Sequence, residues 1–231
     1  QEVITFCKKI NAGRLPIILG VGGNNTLALV DEIKATDFTG IDAVLSVSPC
    51  YNKPTQEGIY QHYKMIAEVC PLQIILYNVP GRTASNMSAE TTLCLANDFE
   101  NIIAIKEASG DMDQIMKIIN NKPTDFIVLS GDDGLTLPMI YMGAEGVISV
   151  IGQSHPKEYS TMVAEARKGN IANANALHYS IYDYYGPLYA EGNPAGVKAC
   201  LELLGICKAV VRPPLVEASS TIKNQLKVLL N

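Results

Sequence analysis

Ile102-Ile103-Ala104-Ile105-Lys106-Glu107 is four apolar residues followed at once by two charged ones. The run is continuously apolar rather than alternating, the pattern of a strand covered on both faces. Five other short apolar, β-branched runs repeat it, at residues 15–19, 41–47, 73–79, 126–129 and 147–151. Each lies roughly 20 to 30 residues from the next, and segments of 3.6-residue period fill the gaps. That alternation predicts repeated βα units around a parallel sheet.

The helical segments carry ordinary boundary signals. In 55–70, Thr55 can cap the start and Ile59, Tyr63, Ile66 and Ala67 form one apolar stripe. Gly169 and Asn170 stop a helix that ends at Lys168. Beyond the last strand, residues 155–168, 170–185, 194–204 and 219–230 read as successive helices with no strand between them. Residues 1–11 read as an amphipathic helix closed by Gly13, with no strand before it.

Six strands are two short of the eight-stranded βα barrel, which typically needs about 250 residues. The expectation is therefore an α/β TIM (β/α)8 barrel over residues 1–168, lacking an N-terminal β-α-β unit, with a C-terminal helical region at 169–231.

Composition narrows the function classes. With 231 residues, 48% of them hydrophobic, the chain can bury one sizeable core. No apolar run approaches the roughly 18 residues needed to cross a bilayer. The formal charge of −5 is dispersed, so the basic footprint of a nucleic-acid binder is missing. Six cysteines form no C-x-x-C pair and have no histidine at zinc-ligand spacing, and three histidines lie far apart, so no metal site is expected. The cysteines read as reduced, mostly buried small hydrophobes. These features predict a cytoplasmic protein with neither membrane nor nucleic acid as partner.

In barrels of this kind catalytic groups stand at the C-terminal ends of strands. Three residues there are unusual: Lys106, Tyr77 late in Ile74-Ile75-Leu76-Tyr77-Asn78, and Arg82 just beyond Pro80-Gly81. A lysine can simply mark a strand's exit into solvent. Held among apolar side chains, however, a lysine loses some preference for the charged form, and its neutral amine can attack a ketone to give an imine. Tyr77, taken alone an ordinary core tyrosine, can shuttle protons to that amine from the adjacent strand. Arg82 offers a donor fork for a carboxylate, although a single arginine is by default a surface ion pair. The three together point to a site.

Other features carry less. The Gly20–Thr26 segment lacks a P-loop lysine and the full dinucleotide fingerprint, and reads as a turn into a helix capped by Asn25 or Thr26. Gly131-Asp132-Asp133-Gly134 reads as a turn and helix cap rather than a cation site. A serine nucleophile lacks its G-x-S-x-G elbow.

At these residues the sequence resembles the dihydrodipicolinate synthase family of pyruvate-dependent class I aldolases. The likeness covers essentially the whole chain, carried by GVGGNNT at 20–26, SPCYNKP at 48–54, YNVPGRT at 77–83, IIAIKEASG at 102–110, LSGDD at 129–133, GVISV at 146–150 and NPAGVK at 193–198. The resemblance implies a Schiff-base synthase that condenses pyruvate with L-aspartate 4-semialdehyde in lysine and diaminopimelate biosynthesis, with no cofactor. It implies Lys106 as the Schiff-base lysine and Tyr77 as a proton relay. Tyr51 is implied as a second relay that enters a neighbouring subunit's site in a homotetrameric dimer of dimers. Arg82 is implied as the aldehyde's carboxylate ligand, and Ile148 and Gly131 as backbone contacts around pyruvate. Asn24 matches a contact for lysine as feedback inhibitor, but Cys50 stands where an aromatic residue often lies.

The family's G-T-T-G-E strand end, with its relay threonine, has no counterpart here, so the sequence as given is expected to be catalytically crippled. The alternatives are N-acetylneuraminate lyase or another sugar-acid aldolase with the same lysine chemistry, and a non-catalytic keto-acid sensor.

Overall fold

A computed structural model describes residues 2–230. The chain divides into two compact units, the first running to Leu129 and the second starting at Ser130. Helices and strands alternate in the first: α1 (Glu2–Asn11), β1 (Ile18–Val21), α2 (Thr26–Ala35), β2 (Ala43–Val47), α3 (Gln56–Ala67), β3 (Gln73–Asn78), the single turn α4 (Pro80–Thr83), α5 (Ala89–Asp98), β4 (Ile102–Glu107), α6 (Met112–Asn121) and β5 (Ile127–Ser130). The strands lie side by side in chain order from β1 to β5. The pairs β1–β2, β2–β3 and β3–β4 are parallel, as βα repetition requires.

Local signals place these elements. Thr55 caps α3 by accepting from the Gly58 N–H, and Asn25 caps α2 by accepting from the Ala28 N–H. Gly13 ends the α1 segment in the left-handed region at φ +74°. Beneath the sheet, Val44, Ile74, Leu76 and Ile105 are fully buried, as are Ile59, Tyr63 and Ile66 of α3. The opposite face is thinner: Ala43, Ile75 and Ala104 are buried there, with Leu45 and Ile127 partly so. The prediction of strands covered on both faces fails at β1, where Val21 alone is buried.

The second unit contains α7 (Thr136–Tyr141), β6 (Gly146–Val147), a 3-10 turn (Ile151–Gln153), α8 (Pro156–Arg167), α9 (Ile171–Ser180), α10 (Tyr182–Tyr189), α11 (Ala195–Leu203) and α12 (Ser220–Leu229). Its core joins Ile151, Met162, Ala174, Leu188, Cys200 and Leu226. Two expectations need correction here. The strand expected at 147–151 stops after Val147, because the Asp133 carboxylate captures the amides of Val150 (3.2 Å) and Ile151 (2.8 Å), which therefore cannot serve a ladder. The helix expected over 170–185 is two helices, broken at the buried Ile181.

The cysteines also depart from expectation: Cys7, Cys50, Cys94 and Cys207 are exposed, and Cys70 and Cys200 are buried. Among the described residues no helix is long and apolar enough to cross a membrane.

Candidate active site

Parallel pairing sets Tyr77 of β3 directly opposite Lys106 of β4, and the next pair in register is Asn78 opposite Glu107. Successive residues of a strand point to opposite faces, so Tyr77 and Lys106 share one face and Asn78 and Glu107 the other. On the first face the Lys106 Nζ lies 4.2 Å from the centroid of the Tyr77 ring. Both side chains are half-buried. Burial raises the Tyr77 phenol above its ordinary pKa, and the positive charge of Arg82 pulls it back down. A phenol under these two influences stays protonated at neutral pH, able to donate to an oxygen or nitrogen that gains charge.

Arg82 reaches the site from α4. Pro80 opens that turn and Ala84, in the left-handed region at φ +59°, closes it, so the guanidinium follows the end of β3 by one turn. Arg82 is exposed and lines, with Tyr77, Val79, Val47 and Gly22, a cavity of about 370 Å³ in the first unit. Gly22 is required there: a Cβ would meet Val47 Cγ1 at 2.5 Å.

The remaining expected residues fall as follows. Tyr51 is 87% exposed and adopts φ +70°, an uncommon choice for a bulky residue, and its N–H donates to the Thr83 carbonyl at 3.1 Å. The Tyr51 loop is thereby tied to the turn that bears Arg82. The Asn24 side chain donates to the Cys50 carbonyl at 3.5 Å, so the structure brings these two residues together. Gly131 and Ile148 belong to the second unit, where the Ile148 N–H donates to the Ser130 carbonyl at 3.0 Å.

Sequence reading missed the reverse face. Asn78 and Glu107 are fully buried. The Asn78 amide donates to both Glu107 carboxylate oxygens (3.2 and 3.1 Å), the Gln114 amide donates at 3.2 Å and the Ser109 N–H at 2.7 Å. Burial raises the Glu107 pKa, and the hydrogen bonds from Ser109, Asn78 and Gln114 oppose that rise. The signal was available in part, since a polar pair ends two otherwise apolar strands.

A parallel α/β sheet that gathers an amine, a phenol and a guanidinium at its carboxyl edge belongs to the class of enzymes whose chemistry stands on strand ends. Within that class the chain belongs to the dihydrodipicolinate synthetase family, whose model matches residues 1–231. A 4-hydroxy-tetrahydrodipicolinate synthase of Flavobacterium psychrophilum is 54% identical over 226 residues, covering 98% of this chain and 77% of that protein. The crystal structure of dihydrodipicolinate synthase from Aquifex aeolicus matches 99% of this chain and 78% of its own with a TM-score of 0.95 at 41% identity. That of the Acinetobacter baumannii enzyme complexed with pyruvate covers 99% and 78%, with a TM-score of 0.93 at 39% identity.

Proposed function

We propose that this protein condenses pyruvate with L-aspartate 4-semialdehyde to give 4-hydroxy-tetrahydrodipicolinate, a step of lysine and diaminopimelate biosynthesis, through a Schiff base on Lys106. The observation that carries the reading is the Lys106 amine seated over the Tyr77 ring from the adjacent strand. The 54% identity to a synthase of that name and the pyruvate held by the Acinetobacter baumannii relative support the choice of substrates.

The Lys106 amine attacks the keto carbon of pyruvate, water departs, and a protonated imine forms. Loss of a methyl proton, passed along through the Tyr77 hydroxyl, leaves an enamine. Its terminal carbon attacks the aldehyde of the semialdehyde, whose carboxylate the exposed Arg82 fork receives. The amino group of the adduct then displaces the lysine as the ring closes, and Lys106 is free again.

Tyr51 is read as the second relay, contributed to a neighbouring subunit in a dimer of dimers; its exposed phenol supports that role. Gly131 and Ile148 are read as backbone contacts around pyruvate. Asn24 and Cys50, already in contact, are read as part of a lysine effector site. By the same resemblance, residues 1–168 are read as part of an eight-stranded βα barrel, and residues 169–231 as a C-terminal helical region.

Borohydride added with pyruvate should leave one stable adduct on Lys106, detected by intact mass and peptide mapping. Failure to label, or labelling that survives Lys106→Ala, refutes the mechanism.

A further inference from the structure

The pairing of β3 with β4 is not regular from end to end. Ile74 pairs with Ile102 but Ile75 pairs with Ala104, so the register shifts by one residue before the reactive ends are reached. A one-residue slip turns every following side chain to the opposite face of a sheet. Here a slip would remove either Tyr77 or Lys106 from the face they share. Backbone ladder alone, already irregular upstream, holds this register weakly, and something must lock it beyond the shift.

The buried pair Asn78 and Glu107, the last pair of the ladder, has the chemistry of such a lock. The orientation of each amide is set by backbone groups that cannot flip. Asn78 Oδ1 accepts from the Met87 N–H at 3.0 Å, which leaves its Nδ2 to face the carboxylate. Gln114 Nε2 donates to the Met87 carbonyl at 3.2 Å and so also faces Glu107 as a donor. With the Ser109 N–H, every hydrogen bond made by the carboxylate is received from a donor, the arrangement that suits an ionised acceptor. Slipping β4 by one residue would carry the carboxylate out of this shell and leave it buried without partners, a change far costlier than losing one ladder bond.

We infer that Glu107 is a positioning residue, whose donor-saturated carboxylate locks β4 to β3 beyond the register shift and so holds Lys106 over Tyr77. This rests on the proposed imine chemistry of Lys106. Glu107 makes no contact with substrate in this role; it acts through the register of the strand it ends.

The test is the first-order rate constant for borohydride-trappable imine at saturating pyruvate, measured on the full chain and its variants. A merely structural role lowers the melting midpoint and the fraction of molecules that label, but not the rate constant of those that do. Glu107→Gln sets an amide donor against the Asn78 donor, and should lower the rate constant about tenfold or more. The exchange Asn78→Asp with Glu107→Gln restores the contact with donor and acceptor reversed, and should return the rate to within about threefold. An unchanged rate in Glu107→Gln, or an exchange variant no faster than Glu107→Gln alone, overturns the lock. Gln114→Leu removes one donor and leaves both strand residues intact; a several-fold slower rate is expected, and an unchanged one overturns the proposal even if the Glu107 variants do not fold. Absence of any adduct in the unsubstituted protein refutes the imine chemistry itself, a different result from equal rates in protein and variants.

Discussion

The two faces of the β3–β4 edge are built on opposite principles. On the open face Tyr77 and Lys106 are only half-buried, with an amine stacked on a ring. One residue further on, Asn78 and Glu107 are wholly buried, and the carboxylate receives hydrogen bonds from three residues at 2.7–3.2 Å. Reactive groups must keep bonding capacity for substrate, whereas groups that hold a frame are most effective when they have none left. The strand period of two lets one pair of strands meet both demands within two residues.

Substitution on the open face should therefore abolish chemistry and spare the fold. Lys106→Ala is expected to lower turnover by about four orders of magnitude or more, since no other group can form the covalent intermediate. Its melting midpoint should stay within a few degrees of the unsubstituted protein. A midpoint that collapses along with activity would break the contrast, because Lys106 would then belong to the frame. Tyr77→Phe comes next, with turnover down about 10²- to 10³-fold. Because the ring under the amine is kept, the borohydride adduct should still form, but slowly. An adduct formed at the unsubstituted rate with normal turnover would remove Tyr77 from proton transfer.

Substitution on the closed face should cost stability as well as slow the imine. Asn78→Leu strips the carboxylate of a two-oxygen donor and leaves the Met87 N–H without its acceptor, at a cost of about 2–4 kcal/mol in unfolding free energy. Chemical denaturation reads this directly. A change below about 0.5 kcal/mol would show that the network is decoration.

This contrast also explains what the sequence could and could not show. Strand positions were legible because the apolar runs are long relative to their ends, and the observed β3 and β4 lie within two residues of the runs read for them. Lys106 and Tyr77 stood out because each is a polar group late in or just after an apolar run, and the register sets them opposite one another. Glu107 did not, because a charged residue after a strand reads as its exit into water; only the register that places Asn78 opposite, and the helix α6 that brings Gln114, reveal it as buried. Asp133, read with Asp132 as a turn and helix cap, acts instead over a longer range. Its neighbour Asp132 does make the expected turn, accepting from the Gly134 N–H at 2.9 Å, while Asp133 reaches 18 residues ahead to end a strand and binds the Tyr189 hydroxyl at 2.8 Å. The exposed Cys7 lies on α1, which buries no residue in this chain.

His62 sharpens the comparison from a third direction. It is buried on α3 at 2% exposure, its Nδ1 shares a 2.8 Å hydrogen bond with Thr26 Oγ1, and its Nε2 has no hydrogen-bond partner among the described residues. Unlike Glu107, it is a titratable group enclosed without compensation for its charge, and burial lowers its pKa from the ordinary 6.5 to about 4. Between those two values the unfolded chain binds a proton that the folded chain refuses, so stability is full above about pH 6.5 and falls as the pH drops toward 4. From pH 7 to pH 5 this one group should remove about 2 kcal/mol. His62→Gln, which carries no titrating ring, should flatten that part of the stability–pH curve while leaving the imine adduct at Lys106 intact at pH 7. If the slope persists unchanged in the variant, the loss comes from other groups. Glu107 is not one of them: its folded-state pKa is raised, so its contribution to the pH slope has the opposite sign to that of His62.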